Sequence, residues 1–271
     1  MKKLWQSVMQ VLSPTKSLKT KKESTENIST NLSQLSTMSY AKYLLERNPI
    51  EMPEKKIGIL VWRTNEGMFI RKSYVDFFKQ FGKVVLVMPD QDVDTSLDLL
   101  VLPGGADLSN SLTGTFSPMN NADNPSYTYF YNYSFKKWLG KVPMFGICLG
   151  FQGMAVAMGS TLSQHLREHQ IEDNKLHNLV QQIDAKRAKV VQKINSRHHQ
   201  GFFLGSIRGM EEVYHSSHFT DPNCLVEMAR NRELKISGVQ WHPEDMEHFR
   251  IDMRGDQIAI KEILTLLNVP F

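Results

Sequence analysis

The sequence predicts an α/β domain in which a mostly parallel sheet is covered by helices on both faces. Three observations carry this reading. Apolar runs of strand length recur at residues 56–62, 84–88, 98–102, 142–147 and 236–240. Helical stripes fall between them, one carried by Tyr74, Phe77, Phe78 and Phe81, another by Met154, Ala155, Ala157 and Met158. Two of the runs end in glycine turns, and strands alternating with helices at this spacing are the pattern of a parallel sheet.

The elements follow in order. Ile57-Gly58-Ile59-Leu60-Val61-Trp62 is the first strand, and Tyr74 to Phe81 the first helix. Val84 to Met88 is the second strand. Leu99-Leu100-Val101-Leu102 is the third, ending in the turn Pro103-Gly104-Gly105. No repeat at a solenoid period is present. Function in open α/β sheets gathers at the carboxyl ends of strands, where Gly104-Gly105, Cys148 and His242 all fall.

The next strand leads into Gly146-Ile147-Cys148-Leu149-Gly150-Phe151-Gln152-Gly153. An apolar strand, a tight Gly-x-Cys-x-Gly turn and a helix follow one another here. With serine, this geometry is the nucleophile elbow of hydrolases. A cysteine at that turn sits at a helix N-terminus, whose partial positive charge favours the thiolate. Downstream, a short apolar strand ends in Val239-Gln240-Trp241-His242-Pro243-Glu244. The proline stiffens the step between His242 and Glu244, and the i, i+2 spacing lets the carboxylate reach the imidazole. A cysteine, a histidine and an orienting carboxylate are the parts of a nucleophilic acyl-transfer site.

Taken together, Gly-Ile-Cys-Leu-Gly-Phe-Gln and Val-Gln-Trp-His-Pro-Glu resemble the class I glutamine amidotransferase superfamily. The segment Asn195-Ser196-Arg197-His198-His199-Gln200 is similar to the peptidase C26 group within it, which includes gamma-glutamyl-GABA hydrolase and related gamma-glutamyl hydrolases. The resemblance spans roughly residues 56–267. It implies a flavodoxin-like three-layer sandwich and a cysteine-dependent hydrolase of gamma-glutamyl amides acting through a thioester. It further implies Cys148, His242 and Glu244 as the triad, the amides of Gly105 and Leu149 as the oxyanion hole, and Gln152 with the His198, His199 and Gln200 segment as the glutamyl pocket. The expected small-molecule partner is a gamma-glutamyl compound, and the chemistry requires no cofactor and no metal. Two other uses of the same fold stay open: a glutaminase subunit feeding ammonia to a separate synthetase, and a non-catalytic binding protein. A synthetase chain and a second copy of this chain are the macromolecular partners left open.

The chain departs from the group in two places. Where the group carries charged residues before the nucleophile strand, this sequence reads Ser126-Tyr127-Thr128-Tyr129-Phe130-Tyr131-Asn132-Tyr133. Where the group's elbow has Arg or Lys after the cysteine, this one has Leu149. The Asn-, Ser- and Pro-rich stretch 109–126 reads as a loop over the site, with core packing the main use of the aromatics that follow it.

Composition narrows the setting. The chain has 271 residues, 41% of them hydrophobic, and two cysteines, Cys148 and Cys224. That count suits a reducing compartment and argues against a disulfide scaffold, so a cytoplasmic protein is expected. The net charge of +4 comes from the amino-terminal stretch: residues 1–22 hold six lysines and no acid, and +4 less six leaves about −2 for the remainder. Nucleic-acid binding is therefore not expected. Residues 1–50 read as a Ser-, Thr- and Lys-rich tail preceding a hydrolase domain at 51–271. Leu4, Trp5, Val8, Met9 and Leu12 line one face of a short amphipathic helix in it. A weak membrane or targeting contact through residues 1–22 is open, and Gln6, Ser7 and Gln10 interrupt any secretory core. The close pairs His165/His169 and His215/His218 lack metal-site companions and read as solvated helix faces.

Overall fold

The computed structural model describes residues 54–64, 67–108, 129–166, 176–184, 187–249 and 254–270. The expected tail, residues 1–50, and the loop 109–126 lie outside them. Among the described residues nine strands form one sheet. Five of them are parallel: β1 (Lys56–Leu60), β4 (Lys83–Val87), β5 (Leu99–Leu102), β6 (Met144–Ile147) and β11 (Ile236–Val239). They run in the order β4-β1-β5-β6-β11. Counted along the chain this is 2-1-3-4-5, the strand order of a flavodoxin-like domain. A separate hairpin, β2 (Trp62–Thr64) and β3 (Gly67–Phe69), follows the first strand.

The apolar runs form strands because each alternate residue has a core to enter. In β5 every side chain is buried. Leu99 and Val101 enter one cluster with Ile57, Ile59 and Phe145, while Leu100 and Leu102 enter the opposite one with Leu60 and Met144. Helices cover both clusters. On the first face lie α1 (Lys72–Phe78), through Tyr74, Phe77 and Phe78, and α4 (Arg254–Leu266), through Ala259, Ile260, Ile263 and Leu264. On the second face lies α3 (Leu149–Ala157), through Leu149, Phe151, Met154 and Ala155. Each fully buried Leu, Ile or Phe contributes about 1.5–3 kcal/mol, so double-sided burial makes this half of the sheet the stable frame.

Helix α1 stops at Phe78, three residues short of the stripe read from the sequence. Phe81 continues the aromatic cluster from the turn beyond, its ring 5.6 Å from that of Phe77. The aromatic stretch before β6 forms a π-helical turn, Phe130–Ser134, running into α2 (Phe135–Trp138). Phe130, Tyr131, Phe135 and Trp138 are buried, while Tyr133 faces outward. Tyr131 lies against Gly153 so closely that a Cβ there would sit 2.0 Å from its ring, and its hydroxyl donates to Gly150 O at 3.3 Å. These rings therefore pack against helix α3 and fix its place.

Beyond β11 the sheet turns antiparallel. Four strands, β10 (Val226–Asn231), β9 (Glu211–His215), β7 (Leu176–Gln182) and β8 (Ala188–Asn195), extend it in that order. Their sequences mix polar and apolar residues because β8 is an edge and much of this region is covered on one side only. His215 ends β9 as a buried residue 3.8 Å from Glu212, so its reading as part of a solvated helix face is incorrect. The strand pattern there was masked by charged neighbours. His169 lies outside the described residues.

Candidate active site

Register brings three strand ends together. Gly146 of β6 pairs with Leu102 of β5, and Ile147 pairs with Val239 of β11. The residues just beyond, Gly104-Gly105, Cys148 and Gln240 to His242, therefore emerge side by side.

Cys148 caps α3 with φ 50° and ψ −107°, a conformation that a residue with a side chain adopts at a cost of roughly 1–3 kcal/mol. Its amide donates to Val239 O at 2.8 Å and its carbonyl accepts from Gln152 N at 2.9 Å, which holds the turn at both ends. The glycine two residues on is required by contact: a Cβ on Gly150 would lie 1.9 Å from Leu102 O. The helix thus begins directly on the end of β5. Leu149, at its first position, presents one of the backbone N–H groups that a helix start leaves without an intrahelical partner.

His242 follows β11 and is held through its backbone. Asn195, the last residue of β8, accepts from His242 N at 2.8 Å and donates to His242 O at 2.8 Å. The imidazole Nδ1 contacts Glu244 Oε1 at 2.8 Å, which directs the other nitrogen to Cys148. Burial by itself would lower the pKa of His242. The carboxylate of Glu244 and then the sulfur of Cys148, by charge and by hydrogen bond, outweigh it and push the group up to about 10. A salt bridge from Arg197 to Asp245, 2.7 Å, ties the turn after His242 to the segment that follows β8.

Of the two glycines after β5, Gly104 donates its amide to Tyr74 Oη at 2.8 Å. A Cβ on Gly104 would lie 2.7 Å from His242 Cε1 and 3.3 Å from Cys148 Cβ, so this position must be bare for thiol and imidazole to meet. Gly105 is exposed and stands next to Leu149, whose side chain a Cβ would approach to 2.8 Å.

The four residues assigned to the glutamyl pocket are gathered here, and most of their polar atoms are engaged with protein. Gln152 Nε2 donates to Gln200 O at 2.9 Å and to Gln240 Oε1 at 3.2 Å. His198 Nδ1 meets Gln200 O at 2.8 Å. His199 bridges Gln164 O at 3.1 Å and Asp107 Oδ1 at 2.7 Å. Gln200 accepts from Leu108 N at 3.2 Å and donates to Gln164 Oε1 at 2.5 Å. Together His199 and Gln200 pin the chain just after Gly105, so the motif supports the segment on which that amide sits.

Sequence reasoning passed over Asn195, Gln240 and Tyr74. The first two stood inside quoted motifs, but nothing in a linear spacing shows that one grips the backbone of His242 and the other reaches Cys148, with Nε2 3.6 Å from Sγ.

Among the described residues, two groupings of ligand-type side chains are present. In the first, His242 is bonded to Glu244 and Asp245 is paired with Arg197, as described. His177, His198 and Glu227 have ligand-type atoms within 4.8 Å of one another. Burial pushes Glu227 up to about 8, and at 3.6 Å the contact with His177 Nε2 is too long to offset that. The other cysteine, Cys224, donates to Ser217 O at 3.3 Å, and burial pushes its thiol up, the reverse of an activated nucleophile. A surface groove of about 450 Å³ lies elsewhere, lined in part by Arg230 and Arg232, whose charges are already met by Glu211 and Glu262.

The geometry is that of a buried thiol beside an imidazole held by a carboxylate, with backbone amides nearby. Such a set can attack an acyl carbon and pass a proton to the leaving group. The chain is 29% identical over 216 residues to the glutamine amidotransferase-like protein YvdE of Lactococcus lactis subsp. lactis (strain IL1403), covering 68% of this chain and 86% of that protein. A YvdE homolog from Lactococcus lactis subsp. cremoris is 31% identical over 111 residues, 38% of this chain and 58% of that one. Among solved structures, PurLQS from Thermotoga maritima shares the fold with a TM-score of 0.53 and 18% identity, over 79% of this chain and 100% of the matched chain. The peptidase C26 profile matches residues 50–244, from ahead of β1 to the carboxylate beside His242, and the chain belongs to the peptidase C26 family.

Proposed function

We propose that the chain is a cysteine-dependent hydrolase of gamma-glutamyl amides. The observation that carries this is the strained Cys148 elbow facing an imidazole whose other nitrogen is on Glu244. The Cys148 thiolate attacks the gamma-carbonyl carbon. The oxyanion so formed is met by the amides of Gly105 and Leu149, since the Gly104 amide is already given to Tyr74. The His242 imidazolium protonates the leaving amine as the C–N bond breaks, which leaves a glutamyl thioester. Water then attacks, giving its proton to His242, and the C–S bond breaks to return the thiolate. Glu244 keeps His242 in the required tautomer and orientation. Gln152, with Nε2 bound to the protein, offers Oε1 to the substrate ammonium. His198, His199 and Gln200 shape that pocket chiefly by holding the neighbouring backbone.

The relatives' names, glutamine amidotransferase-like proteins, favour glutamine as the substrate; in this second reading the released ammonia would pass to a synthetase chain. Incubating the purified chain with glutamine and with a panel of gamma-glutamyl amines, and following free glutamate by mass spectrometry, separates the two. Release from the amines exceeding release from glutamine is the expected result. Glutamine turnover alone, rising when a synthetase is added, favours the second reading. No glutamate from any compound, with Cys148 unmodified, removes both.

A further inference from the structure

The sulfur of Cys148 has a second polar neighbour that the triad does not include. Gln240 is buried, leaves β11 two residues before His242, and sets its side-chain Nε2 3.6 Å from Sγ. Its amide could in principle be turned either way, but its surroundings allow one orientation. Gln200 O is a backbone carbonyl and can only accept, so the group of Gln152 facing it at 2.9 Å is Nε2. The same Nε2 is 3.2 Å from Gln240, so the atom it meets there is Oε1. The N–H₂ of Gln240 is thereby turned onto the sulfur. The backbone fixes the distance as well. Gln240 N donates to Glu227 O at 2.8 Å, and Val239, the preceding residue, accepts the amide of Cys148 at 2.8 Å.

We propose that Gln240 is a catalytic residue, its carboxamide donating to the Cys148 sulfur and holding it as a thiolate, with Gln152 as the positioning residue that orients it. The proposal rests on Cys148 being the nucleophile. In the proposed reaction the sulfur carries charge at two points: as it attacks the gamma-carbonyl carbon, and again when the C–S bond of the thioester breaks. A neutral N–H donor stabilises both without competing with His242 for the proton. In the thioester the sulfur is uncharged and the contact weakens, so the group acts on both half-reactions rather than on substrate binding. Removing one hydrogen bond to a charged group costs on the order of tenfold or somewhat more.

The test is the pH profile of Cys148 alkylation by iodoacetamide, which needs no glutamyl pocket, read alongside turnover. Gln240→Met keeps the volume and loses the donor. Its alkylation midpoint is expected to move up by roughly one pH unit, with the rate below the wild-type midpoint falling about tenfold. Gln240→Glu is isosteric and still accepts from Gln152, but places an oxygen against the sulfur, and its midpoint is expected to move at least as far. Gln152→Met should give a smaller shift in the same direction. A role in packing alone would lower the melting temperature and leave the midpoint of Gln240→Glu at the wild-type value, and that result overturns the proposal. Should the variants not fold, the wild type answers: the Gln240 side-chain amide protons, followed by nitrogen-15 NMR, should shift when Cys148 is alkylated, and no shift overturns it too. Turnover retained by Cys148→Ala would instead sink the hydrolase reading, whatever Gln240 does.

Discussion

Glu227 lends itself to a quantitative test because a single cause acts on it. It sits in β10 with no exposed surface, and burial pushes its carboxyl from 4.5 up to about 8. The groups that face it are His177, Nε2 3.6 Å away, and His198. Between pH 4.5 and 8 the folded protein therefore holds a proton on Glu227 that the unfolded chain has released. The folded pKa is raised, so its contribution to stability is complete below about 4.5 and is lost as the pH climbs through 8. The slope inside that window is about 1.4 kcal/mol per pH unit, so the whole effect is roughly 3–5 kcal/mol. That is a large part of the 5–15 kcal/mol typical of a domain. Glu227→Gln keeps the shape and removes the titration. Urea unfolding of both proteins at pH 5, 6, 7 and 8 gives the difference in stability, and any constant cost of the substitution drops out of its slope. The variant is expected to gain on the wild type by about 1 kcal/mol per unit between pH 5 and 8. A flat difference would refute the reasoning and mean that Glu227 is ionised in the fold, balanced by a protonated His177.

Other outcomes follow from the same structure. Cys148→Ala should abolish turnover with the circular dichroism spectrum unchanged, whereas Cys224→Ala, whose thiol is raised by burial, should keep near wild-type rates. Asn195→Leu removes both bonds to the backbone of His242. It should lower stability by about 2–4 kcal/mol and kcat on the order of 100-fold, measured by denaturation and steady-state kinetics, and a loss under threefold would mean the clamp is not needed. Deleting residues 1–50 should leave the melting temperature and most of the turnover in place. Insoluble or inactive protein would show that the tail is part of the domain.

The sequence by itself determined the parallel half of the fold and picked out Cys148, His242 and Glu244, which the structure brings to one place. Both are written in short-range patterns. Apolar runs such as Leu99–Leu102 must be buried on both faces whatever surrounds them. The Gly-x-Cys-x-Gly turn dictates its own backbone through the glycines, and Pro243 limits how far Glu244 can stray from His242. The antiparallel half was not legible, because strands such as β8 alternate weakly and are charged on the open side. Only the tertiary structure decided which polar atoms meet. Asn195 and His242 are 47 residues apart, and Gln240 and Cys148 are 92. Their contacts arise from strand order and register, which bring β6, β11 and the end of β8 to one place. A carboxamide looks the same in a motif whether it faces solvent, backbone or a nucleophile. Its role is set by the partner across the sheet, and linear spacing carries no information about that partner.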